Sequence, residues 1–442
     1  MNRKTLLLTA LTAIAMATCS IVISGCTKEG PAGKDGANGA DGMDGTASCI
    51  TCHAPDGIEL AATQYELSKH SYGEEAFSLA GNTGCGACHL SEAFKYVCLN
   101  NVPATFSLNT STNRYANDYV VPASVAYGEI TCSTCHSSIH ATYGPGDLAL
   151  TTVAPVSMNM WGGAKTINIA ADGGRSNLCI KCHQPRPLTK STDGNVLDYD
   201  ALTSSPGAIF FDPDGSGNVL RPAYRTHVHY GSVGAVYAGT GGVEFPGIAY
   251  TNSVHTSIAS CQDCHMSPMQ GKAGGHTFFA KGNFNGCNAD GCHTGASASS
   301  DLLWTTPRAN VKAALDALAA ALQINGVDIL NRNPDAVSNL WAANTTNKYD
   351  GYLNIYDPVN NPNGPTYNTN GVFQNPAPSN TWTQAQKDYN LTLPKITLTN
   401  AQMGALINFQ LCLRDYSLGI HNYKYTMALL QNSLTALGSK GV

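Results

Sequence analysis

Positive charge is scarce in this chain, with 25 Lys and Arg against 30 Asp and Glu among 442 residues. Nucleic-acid phosphates need a basic face, so nucleic acid is excluded as a partner. Long periodic hydrophobic segments are also scarce between residues 47 and 295, where Gly, Ser, Thr, Asn and Pro recur. That region need not build a conventional core. One carboxylate is missing where it would matter. Asp212, Asp214, Ser216 and Gly217 open like a calcium loop, but Ala223 stands at the twelfth position, where a bidentate acid is required. An ordinary Asp-Gly-Ser turn is the better reading.

Cysteine and histidine are abundant instead, at 16 and 13. Twelve of the cysteines fall in six motifs, each ending in histidine. Five are C-x-x-C-H: Cys49, Cys52 and His53; Cys85, Cys88 and His89; Cys132, Cys135 and His136; Cys179, Cys182 and His183; Cys261, Cys264 and His265. The sixth is stretched, with Cys287, Cys292 and His293, and Gly291 could allow the tighter turn it needs. Two thiols a helical turn apart can each add to one vinyl group of a porphyrin while the adjacent imidazole reaches the iron. The motifs read as sites for six covalently bound haem c groups. Zinc ribbons and disulfides also use paired cysteines, but neither explains a histidine after every pair.

Seven histidines remain: His70, His140, His227, His229, His255, His276 and His421. Six irons with proximal ligands His53, His89, His136, His183, His265 and His293 need six distal ones, so this supply allows bis-histidine ligation throughout. His227 and His229 compete for one place. The expected distal set is His70, His140, His229, His255, His276 and His421.

The chain opens with Asn2, Arg3 and Lys4, runs through an apolar stretch and reaches Gly25 and Cys26. This reads as an export signal over residues 1–25, with Cys26 as the lipidation site of a bacterial lipoprotein. An uncleaved membrane helix is the alternative. Removing that leader takes two positive charges and leaves 23 against 30, a balance of −7. Residues 26–46 carry glycine at every third position from Gly30 to Gly45, yet only Pro31 interrupts the triplets, so a flexible tether fits better than a collagen stalk.

Residues 47–298 are expected to form a loop-rich hexahaem domain, with short helices at the motifs and around Gln64 to Ala80. Residues 299–442 are expected to be helical, with an irregular insertion at about 327–395. Thr306 and Pro307 start a helix whose Val311, Leu315, Leu318 and Leu322 share one face until Gly326, and two more helices follow at about 400–416 and 422–437. The fold class is mainly α with much irregular structure. Cys98 and Cys412 are left over, and a disulfide between them would tie the haem region to the tail.

Several segments resemble multihaem c-type cytochromes of the nitrite reductase and hydroxylamine oxidoreductase superfamily. They are Ser68-Lys69-His70, Ser253-Val254-His255, Gly275-His276-Thr277-Phe278, Gly239-Thr240-Gly241-Gly242 near His229, and Gly419-Ile420-His421-Asn422 with Tyr425, Leu429 and Leu430. The resemblance covers about two thirds of the chain and implies a closing helix that presents His421 to an iron. The C-x-x-C-K variant of many nitrite reductases is absent. The expectation is therefore an electron carrier at the outer membrane, on the cell surface or periplasmic face. Its partners would be other cytochromes or redox proteins, or extracellular metal or mineral acceptors. The alternatives are a reductase of a small nitrogen or sulfur oxyanion using one open iron, and a subunit of a cytochrome filament.

Overall fold

The computed structural model describes residues 52–72, 83–102, 106–109, 114–117, 128–185, 199–210, 228–293, 299–324, 327–332, 349–353, 366–367, 373–374, 383–385 and 398–439. The leader, Cys26, the glycine triplets, Cys49, the 212–217 turn, Ala223, His227 and most of 327–395 lie outside them. Two compact units divide the chain, Met1–Ala54 and Pro55–Val442. Cys52, His53 and Ala54 are the described residues of the first. The rest concerns the second.

The protein is helix-rich, and its strands form short two-stranded pieces. In chain order the helices are α1 (Ile58–Glu66), α2 (Thr83–His89), α3 (Ser91–Leu99), α4 (Cys132–Cys135), α5 (Arg175–Cys182), α6 (Tyr199–Ser204), α7 (Val233–Ala238), α8 (His255–Ile258), α9 (Cys261–His265), α10 (Thr306–Ala321), α11 (Asn400–Arg414) and α12 (Tyr423–Ala436). Among these residues no helix is long and apolar enough to cross a membrane.

The last three helices carry the periodicity the sequence shows. Val311, Leu315, Leu318 and Leu322 are all buried, so the apolar face of α10 is core. Its helix ends at Ala321, short of Gly326, because Gln323 and Ile324 pair with Asp328 and Val327 as a small hairpin. Helix α11 is buried nearly all round, which places it at the centre. One apolar cluster runs from the Val156–Ile169 segment through Val228–Phe245 to α10, α11 and α12, so the core crosses residue 298 without a break.

A central helix with Asn408 and Gln410 fully buried needs an explanation, since unpaired polar groups there would cost stability. Both act as backbone clamps. Asn408 accepts from the Val243 amide at 2.8 Å and donates to the Val243 carbonyl at 2.7 Å. Gln410 accepts from the Val228 amide at 3.0 Å and donates to the Gly351 carbonyl at 2.8 Å. On α12, Asn432 treats Ile248 the same way, at 2.7 and 2.8 Å. The irregular segment 228–250 has few ladder partners of its own, and these side-chain amides take their place.

Cys98 and Cys412 are both free thiols, in separate apolar clusters. The disulfide between them does not form, because Cys98 packs with Phe94 and Leu178 while Cys412 faces the core of α10 to α12.

Candidate metal centres

Each C-x-x-C-H motif in the Pro55–Val442 unit sits on or beside a helix of one or two turns. Residues three and four apart share a helix face, so both thiols and the imidazole of such a motif project together. Hydroxyl caps start two of these turns. Ser260 and Asp263 cap each other's amides ahead of α9, and the Thr131 amide donates to Thr134 Oγ1 ahead of α4. The stretched motif reaches a comparable arrangement differently. Gly291 has φ +81°, and the His293 amide donates to the Cys287 carbonyl at 3.1 Å, which folds the two extra residues back.

Opposite the motif histidines stand second histidines from distant parts of the chain. Ring centroids are 6.0 Å apart for His70 and His183, 6.1 Å for His89 and His229, 6.0 Å for His255 and His293, and 6.2 Å for His265 and His421. A metal bonded at about 2 Å to the facing Nε2 atoms of two imidazoles sets their centroids about 6 Å apart. The spacing lies within the range of edge-to-face ring contact and also leaves room for an ion between the rings. The planes are steeply crossed in three pairs, at 72°, 68° and 87°, and close to parallel in His265–His421, at 28°. His276 also lies near a motif histidine, His136. Burial, then the nearby His136, holds His276 below the usual histidine range.

Burial favours the neutral imidazole, the form that binds a metal, at His183, His70 and His265. It pushes His183 down to about 3, with His70 the next cause, and lowers His70 and His265 as well. His421 goes the other way. Burial opposes its charge, but Asp415 outweighs that by charge and hydrogen bond and raises it. Among the described residues, His136, His265, His255 and His421 direct Nδ1 at an oxygen. His136 donates to the Leu148 carbonyl at 2.7 Å, His265 to the Phe278 carbonyl at 2.9 Å, His255 to the Ile420 carbonyl at 3.1 Å, and His421 to Asp415 Oδ1 at 2.6 Å. With its proton on Nδ1, each leaves Nε2 bare.

Specific elements place the second histidines. Helix α11 fixes His229 through its neighbours, with Gln410 on the Val228 amide and the Arg414 guanidinium 4.5 Å over the Tyr230 ring. The His276 amide donates to Gln64 Oε1 of α1 at 2.9 Å. His421 sits in the turn between α11 and α12, where Ser417 Oγ donates to Asp415 and accepts from the His421 amide. Phe278, with φ +55°, meets three of these histidines: its ring lies 5.1 Å from His70 and 5.8 Å from His276, and its carbonyl holds His265. His140 has φ +61° and stacks on Tyr143, in a turn locked by Asp147 hydrogen bonds to Thr142 and Tyr143. His53 belongs to the Met1–Ala54 unit.

Cysteines of different motifs also meet. The thiol of Cys88 lies within hydrogen-bond reach of that of Cys182, Cys179 of Cys261, and Cys264 of Cys287. Ser176 ties two of the motif helices, donating to Asp172 Oδ2 at 2.7 Å and accepting from the Cys261 amide at 3.0 Å. The second, fourth, fifth and sixth motifs thus form a series. Cys135 of the third lies near Cys179 and Cys182 of the fourth.

Among the described residues no group of three or more His, Cys, Asp or Glu is gathered as for a bare ion, so the donors come as pairs. Two opposed donors per site suit a metal whose other positions a macrocycle fills. No family model, curated protein or solved structure matches the chain.

Sequence reasoning missed two groups of residues at or near these centres. Asp415 and Ser417 precede His421 without a recognisable spacing, and Asn408, Gln410 and Asn432 interrupt apolar helices where a polar residue ordinarily marks the solvent side. The latter were traceable in principle, as amides on otherwise buried helical faces.

Proposed function

We propose that this protein is a c-type cytochrome with six covalently bound haem c groups, which carries electrons and does not transform a substrate. The observation that supports it most is the set of four histidine pairs spaced 6.0 to 6.2 Å between ring centroids, each with one member from a cysteine motif. The bound haems would supply one-electron exchange between Fe(III) and Fe(II). The chain's own residues hold and space them: the thiols anchor, the motif histidines and His70, His229, His255, His276 and His421 ligate, and His140 is the remaining candidate.

Two further features favour a carrier over a reductase. A second histidine beside the iron leaves substrate no open position there. The cysteine contacts between motifs would set neighbouring macrocycles close together, as electron passage requires. Export, a lipid on Cys26 and an outer-membrane site would bring the mildly acidic protein to other cytochromes, redox proteins or extracellular metal acceptors.

Production in a host that attaches haem covalently tests this. Intact mass is expected to show a gain of six haems, and spectra of the oxidised protein to be almost wholly low-spin. A gain of fewer haems would reduce the count, and a large high-spin fraction would overturn closed coordination.

A further inference from the structure

The His265–His421 pair differs from the other three in two independent ways. Its rings are close to parallel, at 28°. Its His421 also directs Nδ1 at a carboxylate, Asp415 Oδ1, at 2.6 Å, where His136, His255 and His265 meet backbone carbonyls. Asp415 is 1% exposed, at the C-cap of α11. Its other oxygen accepts from Ser417, whose hydroxyl in turn accepts from the His421 amide. The carboxylate is therefore aimed at one imidazole by a closed ring of bonds.

A hydrogen bond to an ionised acceptor is roughly twice as strong as a neutral one. Drawing on the Nδ1 proton makes the imidazole a stronger donor through Nε2, and a stronger donor favours the more highly charged metal. We propose that Asp415 is a positioning and tuning residue that makes the His265–His421 centre hold its electron more weakly than the other described centres. The one-electron couple is Fe(III) to Fe(II), and no proton need move. This rests on the haem-ligand reading above.

The ring planes make the centre addressable. Parallel imidazoles donate into the same iron d orbital and split it from its partner, whereas crossed rings leave the two nearly equal. Electron paramagnetic resonance then shows a rhombic low-spin species for His265–His421 and strongly anisotropic ones for the crossed pairs.

The test is a redox titration of the holoprotein followed by that resonance, on the wild type, Asp415→Asn, Asp415→Glu and His421→Ala. The wild-type rhombic species is expected to be among the last reduced. In Asp415→Asn its reduced-to-oxidised ratio at fixed potential rises about tenfold, a shift of 59 mV for one electron, while the other species stay in place. Asp415→Glu keeps a carboxylate and recovers part of the shift. An unmoved rhombic species, or an equal movement of every species, overturns the proposal. If Asp415→Asn fails to accumulate, Asp415→Glu alone decides, since relocating the carboxylate must still move that species. His421→Ala separates the two readings. A new high-spin centre there with no effect at Asp415 removes only this inference, whereas unchanged low-spin spectra remove the ligand pair itself.

Discussion

The imidazole of His70, in the turn after α1, stands 6.0 Å from that of His183, at the end of α5, with the planes crossed at 72°. The two are separated by more than a hundred residues. Replacing His70 by alanine removes one ligand and leaves every thiol in place. The expected result is six haems still attached and one of them high-spin, read by visible and magnetic spectra. Spectra identical to the wild type would sink the pairing.

The sixth motif carries its own prediction. Gly291 at φ +81° and the His293-to-Cys287 bond bring Cys287, Cys292 and His293 together. Changing both Cys287 and Cys292 to serine should lower the intact mass by one haem. Retention of the full mass would show that this motif never held one.

Asn408 predicts a stability effect without a spectral one at the start. Asn408→Ala strands the amide and carbonyl of Val243 in the core, and each buried unpaired group costs about 1–3 kcal/mol, so the sum is about 2–6 kcal/mol. Denaturant unfolding measures it. A loss below about 0.5 kcal/mol, the range of ordinary surface changes, would contradict the clamp.

At Gly419, φ is +87° and a Cβ would lie 2.7 Å from Val311 Cγ2. Gly419→Ala should cost at least about 1–2 kcal/mol for the left-handed backbone alone. It should also disturb two centres, because the same turn supplies His421 and the Ile420 carbonyl that receives His255. Perturbed spectra at both, with six haems retained, is the expected outcome. An effect at neither centre would separate the turn from the ligands.

The local features of this protein were legible in its sequence, and the pairings were not. The leucine face of α10 and the span of α11 and α12 follow from 3.6-residue periodicity, which depends only on neighbours. The motifs are equally local, since the thiols and imidazole of one haem lie within a few residues. Supply, together with the family resemblance, singled out His70, His140, His229, His255, His276 and His421, but which faces which was invisible. His255 stands opposite His293 and not the nearer His265, and His421 reaches back to His265 across the whole insertion. The shared core was also hidden. Residues 228–250 borrow backbone partners from Asn408, Gln410 and Asn432, and no pattern within them announces a dependence on helices so far ahead.

That dependence has a direction in time. Synthesis delivers the amide clamps and His421 last, after every cysteine motif has emerged. Segment 228–250 cannot complete its backbone bonds until α11 and α12 are in place. A chain cut short before Asn400 would lack its central helix and leave those amides and carbonyls without partners.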